Sequence, residues 1–68
     1  MRYYFHLVHG SKTYTDETGQ EFPTSAAAQR QGAKIASELA IDTDLVGATV
    51  RVVDELDAEI ASIEVVQG

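Results

Sequence analysis

One stretch of this chain repeats at helical spacing, and it dictates the layering of whatever forms. In "TSAAAQRQGAKIASELA", residues 24 to 40, Ala28, Gly32, Ile35, Ala36 and Leu39 fall on one face of a helix. Thr24 is a good N-cap, Pro23 before it stops any preceding strand, and Ala26 to Ala28 are strong helix formers. The apolar face is narrow and built mostly of small residues. With no second helix to pack against, it needs a sheet. Gly32 costs about 1 kcal/mol relative to alanine in a helix interior. Close approach to that sheet is the physical reason to place glycine there.

The flanking segments supply the strands. In "RYYFHLV", residues 2 to 8, Tyr3, Phe5 and Leu7 alternate with Arg2, Tyr4, His6 and Val8, the period-two pattern of a strand. "HGSK" then offers a glycine turn and "KTYT" a short β-prone run, which predicts a hairpin. "DETGQEFP" has no periodicity and two breakers, so it reads as a loop, with Asp16 in an Asx-turn and Gly19 at positive φ. Glu21 is expected near the helix N-terminus, where its charge is favourable. After the helix, "IDTDLVG" reads as a second loop. "ATVRVVD" and "EIASIEVV" read as two further strands joined by an acidic turn at Asp54, Glu55, Asp57 and Glu59. Val50 and Val52 share one face, as do Ala61, Ile63 and Val65.

The expected fold is therefore one α+β domain over residues 1–68, a two-layer β-β-α-β-β arrangement with one helix on a four-stranded antiparallel sheet. Spatial order 2-1-3-4 puts the most apolar strand inside and the weakest at an edge. The helix is expected to cover Tyr3, Phe5, Leu7, Val50, Val52, Ile63 and Val65.

Composition narrows function. Sixty-eight residues lie near the lower limit for independent folding, where a staple or a partner usually helps. There is no cysteine, which removes disulfides and thiolate metal sites. No run approaches the roughly 20 apolar residues of a membrane span, and no apolar signal region precedes the first strand, so a cytoplasmic protein without membrane contact is expected. The net charge of −6 places all eleven carboxylates from Asp16 onward. Duplex nucleic acid is disfavoured, because affinity for it comes mainly from Lys and Arg displacing counterions.

Catalytic pieces do not assemble. His6 and His9 have odd spacing, which puts them on opposite faces of a straight strand, and two imidazoles need a further ligand, for which Asp16 or Glu17 is the nearest source. Ser11, Ser25, Ser37 and Ser62 lie in no nucleophile elbow, and no glycine loop cradles a phosphate. No enzyme activity, cofactor or metal is expected. The remaining candidate is the sheet face away from the helix, with Tyr4, His6, Val8, Arg51 and Val53 at its centre, Ile60 and Val66 adding apolar surface, and Ser62 and Glu64 beside them. Such a face suits self-association as a dimer, or contact with another protein.

"RYYFHL", then Asp16 and Gly19 before "EFP", an alanine-rich helix and the hairpin "VRVVDELDAEI" resemble a family of small bacterial proteins of unknown function. That family opens with Y-Y-F-H or Y-Y-F-D, continues with D-x-x-G-x-E, and has an alanine-rich helix ending in Glu-Leu. Tyr3, Tyr4, Phe5, His6, Asp16, Gly19, Glu21, Glu38 and Leu39 match. Thr24 stands where the family has an acidic cap, and Gly32 where alanine is commoner. The resemblance implies the same element order and no activity. "FPTSAAAQRQGAKIASELA" after a hairpin is also similar to small antitoxins. These imply a small basic protein as partner, although their Pro-Asp-Leu-Pro-Gly turn and DNA-binding segment are missing. Weak binding of single strands is the other alternative.

Overall fold

A computed structural model describes residues 1–67. Strands β1 (Arg2–His9) and β2 (Lys12–Tyr14) form the first hairpin, followed by the short strand β3 (Gln20–Glu21) and helix α1 (Ser25–Leu39). A 3₁₀ turn (Thr43–Leu45) leads into β4 (Thr49–Asp54) and β5 (Glu59–Glu64). The sheet is antiparallel throughout, in order β2-β1-β4-β5, with β3 also pairing with β1. The α+β layering and the strand order are those expected from the sequence. The third strand is an addition, because two residues are too few for periodicity to reveal.

Alternation along β1 divides the sheet cleanly. Tyr3 is buried and Phe5 and Leu7 pack with it on the helix side, together with buried Val50, Val52 and Val65 and the helix residues Ala28 and Ala36. Helix α1 lies over the boundary between β4 and β5 and touches both alike. The fit is close at Gly32, where an added Cβ would come within 2.7 Å of Val52 Cγ2 and 2.9 Å of Ile63 Cδ1. The part of β1 nearer the N-terminus is covered instead by Phe22. Its ring meets Tyr3 and Phe5 edge-on, at centroid distances of 6.1 and 5.9 Å.

Thr24 is the N-cap, extended at φ −143° and ψ 158°, and its hydroxyl accepts from the Ala27 amide at 3.1 Å. No acidic side chain lies in the first helical turn. Glu21 is instead on β3, 3.4 Å from Arg2 Nε and 3.5 Å from the amino group of Met1. The expected charge–dipole contact is thus replaced by pairing across the strand. At the far end Asp42 accepts from the Asp44 amide at 3.0 Å and starts the 3₁₀ turn.

A bulge alters the last hairpin. Val52 faces Ala61 but Val53 faces Glu59, so Ile60 is the extra residue. The shift turns Ile60 toward the helix-side cluster, against which it packs, rather than onto the open face. The acidic turn is internally bonded, with Asp54 Oδ1 accepting from the amides of Leu56 (2.8 Å) and Ala58 (3.0 Å).

Candidate functional site

Two places hold side chains arranged for something other than the core. The first is the open sheet face. Tyr4 faces Val53, His6 faces Arg51 and Val8 faces Thr49 across the β1–β4 ladder, all on the side away from the helix. Tyr4 and His6 stack, with ring planes 16° apart and centroids 6.4 Å apart. Arg51 Nε donates to Glu59 Oε1 at 2.7 Å, which ties the guanidinium down along its own sheet. Val53 is only 1% exposed although it lies outside the helix-side cluster. Val66 lies past the end of β5 and also lines a groove beside the helix. The sequence-derived contact residues therefore share one face, but Val53 is sealed within it and Arg51 is engaged.

His6 is tied to the loop beside the face. The Asp16 amide donates to His6 Nδ1 at 3.1 Å. The Asp16 carboxylate accepts from three amides: Phe5 at 3.1 Å, Thr18 at 3.2 Å and Gly19 at 3.1 Å. Between β2 and β3 the edge of β1 has no strand beside it, and the Asp16 side chain satisfies the Phe5 amide there. The Asx-turn is present, and Gly19 adopts φ +72°. A Cβ on Gly19 would meet Tyr4 Cε2 at 2.8 Å and the Tyr3 carbonyl oxygen at 2.9 Å. Partial burial raises the Asp16 pKa, but the amides of Gly19, Phe5 and Thr18 and the nearby His6 outweigh it, leaving the carboxyl below its usual 3.8. This constellation ties a strand edge. Among the described residues, no group of three or more His, Asp or Glu is placed to hold a metal ion.

Sequence reasoning missed two partners in this region. Glu55 turns back from the acidic hairpin to accept from the Arg2 amide at 2.6 Å, and the Arg2 guanidinium donates to the Thr18 carbonyl at 2.8 Å. Both join residues far apart in the chain. The D-x-x-G spacing at Asp16 to Gly19 was the one local signal that this loop docks on a strand.

The second place is a groove between α1 and β5. It is lined by Ala33, Ser37, Ala40 and Ile41 from the helix side and by Ile63, Glu64, Val66 and Gln67 from the strand side. Ile41 is 86% exposed and Val66 58% exposed. Both are large apolar side chains left in water at the rim of one concavity.

These elements occupy nearly the whole chain, and so does one sequence family, described as "Domain of unknown function (DUF6894)", which matches residues 2–66. The chain belongs to the DUF6894 family. Neither a curated protein nor a solved structure matched it significantly. The DUF6894 match spans the β1 edge, the Asp16 loop, the helix and the β4–β5 hairpin together. In the described residues no helix is long and apolar enough to cross a membrane.

Proposed function

We propose that this DUF6894 protein is a small non-catalytic binding module of the bacterial cytoplasm that works by protein contact, first of all with a second copy of itself. The observation that carries the reading is the exposure of Ile41 and Val66 along a groove of small helix residues. Fully burying such a side chain is worth about 1.5–3 kcal/mol, of which Ile41 forgoes most and Val66 roughly half. So short a chain has few other sources of stability. The open face, with its Tyr4–His6 stack and Val8, is the other surface available for contact.

A second reading is favoured by charge. The net charge of −6 suits a small basic protein, as in antitoxin-like pairs, better than a nucleic acid strand.

Sedimentation and native mass spectrometry test the main reading. From about 1 µM to 1 mM, the range of contacts worth roughly 8 to 4 kcal/mol, the mass should pass from one chain to two. A single-chain mass throughout would refute self-association. A complex with a basic protein retained through purification would favour the second reading.

A further inference from the structure

The free edge of β5 suggests how a second copy would bind. Strand β5 ends the sheet order, so one side of it has no neighbour among the described residues. The opposite edge is guarded, because β2 and β3 are short and Asp16 fills the gap between them. The backbone of Val65 faces inward: its amide donates to the Ala48 carbonyl at 2.8 Å and its carbonyl accepts from Gly47 at 2.9 Å. By alternation along the strand, the amides and carbonyls of Ser62 and Glu64 point outward. Only an extended backbone satisfies such a row.

We infer that two copies pair antiparallel through β5, about a twofold axis perpendicular to the sheet, into one continuous eight-stranded layer, with β3 additionally flanking each β1. The inference rests on the self-association reading and specifies its geometry. That axis keeps both helices on the same side. Strands lie about 4.8 Å apart, so an axis beyond β5 lies about 5 Å from the line midway between β4 and β5. Because α1 sits over that line, the two helices would run about 10 Å apart, close to the 8–10 Å of packed helices. Such closeness requires small residues on the facing flanks. Ala33, Ser37 and Ala40 provide them, with Ile41 and Val66 closing the seam.

Charge excludes one register. Centring the pair on Ser62 uses residues 61 to 63, clear of the bulge at Ile60, and keeps each Glu64 away from its counterpart. Ala61 then meets Ile63 of the second copy beneath the helices. Centring on Glu64 would instead oppose two like charges. Glu59 remains neutralised by its own Arg51. An interface of ordinary size, about 800 Å² per partner, would take roughly a fifth of the 4345 Å² surface.

The test combines amide exchange with three substitutions in the full chain. In the dimer the Ser62 and Glu64 amides should exchange at least about tenfold more slowly at ~1 mM protein than at ~10 µM, because the monomer leaves them open to water. Ser62→Pro removes an outward amide that the monomer does not use, and Ile41→Glu places a charge in the seam. Each should weaken association at least about tenfold while the far-ultraviolet spectrum stays native. If Ser62→Pro fails to fold, Ile41→Glu and wild-type exchange decide. A dimer that survives both substitutions, with Ser62 and Glu64 exchanging freely, overturns the β5 pairing but leaves self-association standing. So does a dimer dissociated by Val8→Lys alone, which would move the contact to the open face. A wild-type monomer at ~1 mM overturns both readings.

Discussion

Gly32→Ala is the sharpest probe of the helix–sheet contact. Alanine improves helix propensity by about 1 kcal/mol, so on local grounds the substitution stabilises. The packing opposes it. The new methyl would lie 2.7 Å from Val52 Cγ2 and 2.9 Å from Ile63 Cδ1, both inside van der Waals contact. Ile63 Cδ1 is the far end of a flexible side chain and can turn away. Val52 is fully buried and β-branched, so it has little freedom to move. Overpacking of this kind costs about 1–3 kcal/mol or somewhat more. Near its upper end, as expected beside the stiff Val52, it leaves a net loss of about 1–2 kcal/mol. In a domain this small that lowers the melting temperature by roughly 4–15 °C. Val52→Ala removes the obstructing methyls and by itself costs about 1.5–3 kcal/mol. If overlap with Val52 is the cause, the double variant should be about 1 kcal/mol or more better than the sum of the singles. Thermal and urea melts of the four proteins measure this. A Gly32→Ala protein that melts at or above wild type, or strict additivity in the cycle, refutes the reasoning.

Other perturbations address the Asp16 loop. The folded pKa of Asp16 is depressed, so its stabilisation is fully present above the unfolded value near 3.8 and is lost as pH falls through the lower folded value. Wild-type stability should therefore drop in that acid window, and Asp16→Asn should flatten this part of the curve, as read by urea melts from pH 2 to 6. Asp16→Ala leaves the part-buried Phe5 amide without its acceptor and should cost about 1–3 kcal/mol at neutral pH. Gly19→Ala forces a side chain to φ +72° against the Tyr3 carbonyl and should cost at least about 2 kcal/mol. A neutral effect in thermal melts would show that the loop does not dock where described.

The α+β class and strand order were legible because they depend on local periodicity and chain direction. Alternation in β1 separates Tyr3, Phe5 and Leu7 from Tyr4, His6 and Val8, and every β1–β4 partner respects that division. Thr24 caps its helix through a neighbour only three residues away. The candidate site was less legible. Five residues were assigned to one face, and cross-strand register does bring them together. What register did not reveal is that Val53 is sealed, Arg51 is bound to Glu59, and two of the large exposed apolar side chains, Ile41 and Val66, line a groove at another edge.

The sequence by itself determined where the helix begins, which face of each strand is apolar, and that Gly32 marks a close approach. Those outcomes follow from backbone sterics and from side-chain periods of 2 and 3.6 residues, which act within a few positions. Tertiary structure alone decided that Gln20 and Glu21 form a strand, that Phe22 closes the core, that Ile60 turns inward at a bulge, and that Glu21 and Glu55 bind the start of β1. Each of these joins groups that only folding brings together. Their free energy comes from satisfying edge amides and filling volume beside particular neighbours, which no local pattern encodes.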